Sequence, residues 1–295
     1  MTNQPIRDAR LTILGTGTSS GVPAIGCQCE VCTSADPRDR RTRTAGALQF
    51  IDPGGHARCI LLDCGPDHRE QALRARLTRV DEILVTHAHV DHVWGLDETR
   101  RYNIMQGSSI RLSSDAATLS SLRTIYSHIL GDDPGPNGND AWVADIETRE
   151  IRPGEPFDCF GLRVTAVELI HGRMPVLGFR LDAPQGMAGG LFPLAWCTDV
   201  STIPTASEAA LRGVTTLVLD GLRDRPHPTH FTIGQAVDAA GRIAARRTIL
   251  VHLAHDILHD RLERRLREAT GAGAGAGAGA GLSVEPGWDG LTVAG

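Results

Sequence analysis

The stretch that decides the reading is Thr86-His87-Ala88-His89-Val90-Asp91-His92, which directly follows the apolar run Ile83-Leu84-Val85. Three imidazoles and one carboxylate fall within residues 87–92. Side chains of an extended segment alternate, so His87 and His89 project to the same side as the strand ends. Asp91 and His92 then lie in the turn toward a following helix and can face a neighbouring position. One short segment thereby offers ligands to two adjacent metal ions. Imidazole and carboxylate donors suit zinc or manganese. Solvated histidines at a polar strand end are the bland alternative, preferable for a lone histidine but not at this density.

Working outward, other apolar runs close on the same residue types. His171 ends the run at 162–170, Asp199 follows Leu-Ala-Trp-Cys-Thr, and His252 follows Thr-Ile-Leu-Val. Ligands delivered from strand ends are held by a rigid sheet, which fixes their separation. An aspartate after a strand commonly just caps a turn, so each position is ambiguous alone. Their shared placement strengthens the metal reading.

A second cluster lies upstream in Gly-Cys-Gln-Cys-Glu-Val-Cys at 26–32, with thiols at Cys27, Cys29 and Cys32. That spacing points to zinc, and His255 is the best candidate for a fourth ligand. A closed four-ligand site is structural rather than catalytic. Cys59, Cys64, Cys159 and Cys197 sit in or beside apolar runs and read as core thiols. Seven cysteines without an N-terminal apolar leader predict a reducing compartment, the cytoplasm.

The composition narrows the remaining choices. The chain has 295 residues, 41% of them hydrophobic and 22% charged, with a formal charge of -5. This balance gives no electrostatic footprint for nucleic acid or an anionic membrane. All 30 basic residues are arginine, which excludes Schiff-base lysine chemistry and a Walker-type phosphate loop. No apolar run approaches the ~18 residues of a membrane span.

Strands are predicted at 11–14, 47–52, 59–63, 82–86, 162–169, 194–199, 215–220 and 247–252. Helices are predicted at 67–78, 92–104, 115–130, 204–212, 232–245 and 258–269, with Thr232 as an N-cap. Residues 131–139 read as a loop and the Gly-Ala alternation at 271–281 as a flexible connection. No composition break divides the chain, so a single domain spanning 1–295 is expected. Gly15-Thr-Gly-Thr-Ser-Ser-Gly21 tempts two readings that fail. Its third glycine comes one position late for a dinucleotide fingerprint, and Pro23 interrupts the helix that either that motif or a Ser19 nucleophile elbow requires. A tight turn after the first strand is the better reading.

The order His-x-His-x-Asp-His, lone histidine, strand-end aspartate, last histidine resembles the metallo-β-lactamase superfamily over almost the whole chain. The resemblance implies an α/β fold, a four-layer αββα sandwich with a dinuclear site at one sheet edge. It places His87, His89 and His171 on one metal and Asp91, His92 and His252 on the other, with Asp199 bridging. Two divalent ions about 4 Å apart lower the pKa of a bridging water and stabilise charge on a phosphoryl or carbonyl oxygen. Together with the cysteine cluster and Val-His-Leu-Ala-His at 251–255, the chain resembles the phosphoribosyl 1,2-cyclic phosphate phosphodiesterase family. That implies a binuclear phosphodiesterase using manganese or zinc, one structural zinc on Cys27, Cys29, Cys32 and His255, and hydrolysis of a cyclic phosphate by metal-bound hydroxide. His230 matches the family's catalytic histidine, a general acid, with His227 as competitor; Asp91 is expected to serve catalysis as well as binding. The expected partner is a small phosphorylated substrate, with no nucleic acid or membrane, and a homodimer is an option. Another hydrolase of this fold, such as a thioesterase or lactonase, and a non-catalytic metal-binding accessory protein are the alternatives. The extra sequence around 107–150 and the Gly-Ala tract depart from the family pattern.

Overall fold

A computed structural model describes residues 5–131, 143–184, 190–271 and 282–295. All but the first residue of the loop expected at 131–139, and of the Gly-Ala tract at 271–281, lies outside the described residues. The chain builds β1 (Arg7–Gly15), β2 (Ala45–Ile51), β3 (Ala57–Leu62), β4 (Glu82–Leu84), β5 (Ile110–Ser114) and β6 (Ile146–Glu150) in its first half. Its second half builds β7 (Pro156–Cys159), β8 (Leu162–His171), β9 (Met174–Asp182), β10 (Leu194–Cys197), β11 (Thr216–Asp220), β12 (Arg247–Val251) and β13 (Ser283–Pro286). A last strand, β14 (Thr292–Ala294), returns to the first sheet. The two seven-stranded sheets run β14-β1-β2-β3-β4-β5-β6 and β13-β12-β11-β10-β9-β8-β7. β3 to β6 are mutually parallel, as are β10 to β13; the other pairings are antiparallel.

Period-two alternation explains the layers. On β3, Ile60 and Leu62 face the second sheet, whereas Cys59 and Leu61 face the helices outside. On β11 and β12, Val218, Ile249 and Val251 point between the sheets, and Leu217, Leu219 and Leu250 point outward. Strands covered on both faces therefore read as unbroken apolar runs. The inner layer joins Leu11, Ile13 and Leu48 to Val164, Phe179 and Trp196. Burying each such side chain contributes about 1.5–3 kcal/mol. Helices α1 (His68–Ala75), α2 (Val90–Val93), α3 (Arg100–Gln106), α4 (Ala116–Ile125) and α5 (Ser127–Leu130) follow strands of the first sheet. Tyr102 of α3 and Leu119 and Leu122 of α4 cover its outer face. Helices α6 (Thr205–Leu211), α7 (Ile233–Ile243) and α8 (His259–Thr270) cover the other side. This is the expected αββα sandwich.

The local differences have local causes. The helix expected at 92–104 is broken into α2, a 3-10 turn and α3, because Gly95 runs against the loop after β3. A Cβ there would lie 2.2 Å from the Gly65 carbonyl oxygen, and Gly95 N donates to Cys64 O instead. α7 begins where Thr232 was expected to cap it: Thr232 Oγ1 accepts from Gln235 N, and Gln235 Oε1 accepts from Thr232 N.

Two latches tie the segment after β1 to distant sequence. The buried Asp289 carboxylate accepts from the backbone N and hydroxyl of both Thr16 and Thr42. The fully buried Arg41 donates to the carbonyls of Ala254 and Ile257 and pairs with Asp39 at 3.1 Å. The second fixes the loop after β12, which carries His252 and His255.

Candidate metal centre

The carboxyl ends of β3, β4, β8, β10, β11 and β12 converge on one rim, where the strands hand over to Asp63, residues 86–92, His171, Asp199, Asp220 and His252. Asp63, Asp199 and His252 all take positive φ, at 63°, 58° and 58°. This left-handed backbone is unfavourable for side-chain-bearing residues and concentrates at functional sites. Here it turns each side chain back over the sheet edge.

The ligand-type atoms of His87, His89 and His171 lie within 4.8 Å of one another, and so do those of Asp91, His92 and His252. Asp199 lies between the two groups. Its Oδ2 is 3.1 Å from His92 Nε2, and its Oδ1 is 3.4 Å from His252 Nε2 and 3.9 Å from His171 Nε2. Asp91 Oδ2 is 3.4 Å from His92 Nε2 and 3.5 Å from His252 Nε2. All seven residues named from the sequence for the dinuclear site are thus brought together.

Outer partners set the histidine tautomers. His92 Nδ1 donates to Asp63 Oδ2 at 2.9 Å, and His171 Nδ1 donates to the Thr229 carbonyl at 2.8 Å. Thr86 Oγ1 accepts from His87 Nδ1 at 2.9 Å and donates to the Asp63 carboxylate, which also accepts from Thr86 N. Each ring therefore turns a bare Nε2 inward, the arrangement that metal-binding histidines require. The buried Nε2 atoms of His87, His92 and His252 have no hydrogen-bond partner.

The charges tell the same story. Burial would raise the Asp199 carboxyl, but His252 and His92 outweigh it and hold it well below its usual range. Burial likewise opposes charge on His252, yet Asp199 and then Asp91 push its pKa up to about 9. Burial, reinforced by His92, drives His87 well below its ordinary value. Two buried carboxylates held among inward lone pairs need positive charge, and divalent cations would supply it in place of protons.

His230, expected as the acid, stands at this rim. Its ring centroid is 4.7 Å from His171 and 4.6 Å from His252. Its Nδ1 donates to the buried Asp220 Oδ2 at 2.8 Å, and the same oxygen accepts from Val200 N. His227 lies farther out, and its Nδ1 accepts from Thr229 Oγ1 at 3.0 Å. Sequence reading missed Asp63 and Asp220. Both end apolar strands, the same signal that singled out Asp199.

The thiol cluster also assembles. Cys27, Cys29 and Cys32 Sγ lie 3.3, 3.4 and 3.4 Å from His255 Nδ1. Zinc bonds of about 2.3 Å to sulfur and 2.0 Å to nitrogen, at tetrahedral angles, separate S and N by about 3.5 Å. The Cys32 backbone N–H, then the His255 ring, lower the Cys29 thiol to about 6 against a burial effect that raises it. The donor set and spacing fit a closed zinc site. Cys59, Cys64, Cys159 and Cys197 are buried free thiols, as expected of core cysteines. Among the described residues, no helix is long and apolar enough to cross a membrane.

Comparison with known proteins agrees with this geometry. A family profile for the β-lactamase superfamily domain matches residues 58–253. A solved structure described as a new diphosphatase from the PhnP family is 34% identical, superposes with a TM-score of 0.79, and is matched over 98% of both chains. An octanoyltransferase of Porphyromonas gingivalis is 36% identical over 247 residues, 83% of this chain. The chain spans only 46% of that protein's length. A coenzyme PQQ synthesis protein B of Methylobacterium nodulans is 28% identical over 71% of each chain.

Proposed function

This chain belongs to the metallo-β-lactamase superfamily, and on that premise we propose that it is a binuclear metal-dependent phosphodiesterase that opens a small cyclic phosphate. The substrate we assign is phosphoribosyl 1,2-cyclic phosphate and the product ribose 1,5-bisphosphate. His87, His89 and His171 would hold one divalent cation, Asp91, His92 and His252 the other, and Asp199 would touch both; Cys27, Cys29, Cys32 and His255 would hold a structural zinc. When bound, the catalytic pair supplies positive charge toward a phosphoryl oxygen and acidifies water near neutral pH.

The chain's own residues do the rest. Water adds to phosphorus, one ring P–O bond breaks, and the departing oxygen takes a proton from His230 Nε2. Asp220 holds His230 by its Nδ1, which leaves Nε2 to face the substrate. Asp91 turns Oδ2 toward His92 and His252, leaving Oδ1 to accept the proton of the attacking water. The observation that carries the reading is this convergence of unpartnered ligand atoms beside a histidine already anchored on a buried carboxylate. The likeness to a PhnP-family protein over the whole chain supports it. Because that relative is described as a diphosphatase, cleavage of a diphosphate is the second reading.

Phosphorus NMR of manganese-loaded protein with phosphoribosyl 1,2-cyclic phosphate, and separately with a nucleoside diphosphate, tests both. Ring opening that vanishes in Asp199→Ala is expected. Turnover of the diphosphate alone would favour the second reading, and silence on both substrates would overturn phosphodiester chemistry.

A further inference from the structure

The metal rim opens into a cleft of about 230 Å³, walled by Thr18, Ser19 and Ser20 on one side and by Arg223, His227 and His230 on the other. The hydroxyl wall belongs to the glycine-rich turn after β1. Its glycines serve close packing: a Cβ at Gly15 would lie 2.0 Å from the Arg43 carbonyl oxygen, and one at Gly17 would lie 2.5 Å from that of Arg41. The turn is pinned by Thr18 N donating to Leu253 O at 3.3 Å, beside His252.

Arg223 stands out across the cleft. Its Nε is buried without an acceptor, and among the described residues nothing forms a hydrogen bond or ion pair with its guanidinium. The nearby carboxylates hold other partners, Asp220 through Oδ2 alone, its Oδ1 being buried without one. Asp224 binds Arg265 through two contacts of 2.7 Å, Asp256 binds Arg225 at 2.6 Å, and Asp220 holds His230. His227 adds a donor, since Nδ1 accepts from Thr229 and the ring proton is therefore on Nε2. The cleft thus presents, among the described residues, a planar cation without a hydrogen-bond acceptor beside hydroxyl and imidazole donors, the set that recognises phosphate oxygens.

Resting on the phosphodiesterase reading, we propose that this cleft is a subsite for a second, non-reacting phosphate of the substrate, with Arg223 as its anchor and Ser19 and His227 as supporting donors. The volume is below the ~300 Å³ at which drug-sized pockets begin. It suits a phosphorylated pentose rather than a nucleic-acid chain.

Ribose 5-phosphate probes the subsite without turnover. Calorimetric titration of the metal-loaded protein is expected to show saturable binding, weakened about 10- to 100-fold in Arg223→Ala and partly recovered in Arg223→Lys, which restores the charge without the fork. Absence of binding to the native protein at millimolar ligand, or equal affinity in Arg223→Ala, overturns the subsite. In turnover, Arg223→Ala should lose more kcat/KM, through KM, on phosphoribosyl 1,2-cyclic phosphate than on bis(4-nitrophenyl) phosphate, which has no second phosphate. Equal losses on the two substrates overturn it as well. If the native protein hydrolyses neither diester, the phosphodiesterase reading fails, and the titration alone decides the subsite.

Discussion

Asp63→Asn is the sharpest probe of how the fold prepares its ligands. Asp63 is fully buried and uses both oxygens as acceptors: Oδ1 from Thr86 N at 2.8 Å, Oδ2 from His92 Nδ1 at 2.9 Å. Asparagine has nearly the same shape and tolerates the left-handed backbone at this position, so the perturbation is chemical rather than steric. It has one acceptor where two are needed. If its oxygen faces Thr86, its NH2 confronts His92 Nδ1–H, and the imidazole must move its proton to Nε2, where it can no longer ligate. If its oxygen faces His92, the buried Thr86 N–H confronts a second donor, at a cost of about 1–3 kcal/mol. The first orientation should lower metal affinity by about 10- to 100-fold, the usual cost of losing such an outer partner, and the second should appear as lost stability to urea. Competition of the metal-stripped protein against a fluorescent chelator measures the affinity, with circular dichroism to establish that the fold is intact. A folded Asn variant that matches the native protein in both metal affinity and stability to urea would refute the argument.

Three further outcomes follow from the same geometry. His230→Ala should keep both catalytic metals and lose about 100- to 10,000-fold in kcat; metal loss with activity retained, read by elemental analysis and turnover, would contradict its role as acid. His255→Ala should shed one zinc equivalent while keeping the catalytic pair, and lose at least about 2 kcal/mol of stability to urea. His68, buried on α1 and 3.1 Å from the Tyr102 hydroxyl, is depressed by burial from 6.5 to about 4. Its folded value lies below the unfolded one, so its stabilising contribution is present above about pH 6.5 and is lost as pH falls toward 4. Between pH 7 and pH 5 the loss is about 2 kcal/mol, and urea midpoints of His68→Gln should be flatter with pH than those of the native protein by that amount.

The parts of the fold legible in sequence were those with two-sided burial. β3, β11 and β12 are covered on both faces and appear as apolar runs with punctuated ends. β6, Ile-Glu-Thr-Arg-Glu, was missed because it is the edge of its sheet and stays polar. β9 was missed because Pro175 and Gly178 read as breakers. The glycine is there for packing, since a Cβ would meet Leu169 at 2.8 Å and Trp196 O at 3.2 Å. β13 ends in proline at the opposite edge, where no ladder partner is lost. The candidate ligands were legible because His87, His89, Asp91 and His92 are local in sequence and the others share strand ends. Asp63 and Asp220 carry the same strand-end signal, but their value lies in which histidine each one meets, and that is set by sheet order. The serine-rich turn fails as a motif, yet its position after β1 places it against the rim for reasons of backbone packing alone.

These long-range contacts also set when in the life of the chain the rim can exist. Thr16 waits for Asp289, 273 residues later, Cys27 for His255, 228 residues later, and Arg41 for the Ala254 carbonyl, 213 residues later. A chain emerging from the ribosome N-terminus first therefore carries its thiols and the histidines of residues 87–92 unsealed until the segment beyond β12 has been made. The last candidate ligand of each centre, His252 of the dinuclear set and His255 of the thiol set, lies just beyond β12, so a product truncated before it completes neither. An interrupted translation leaves a polypeptide exposing three cysteines and unpaired strand edges, a form suited to degradation.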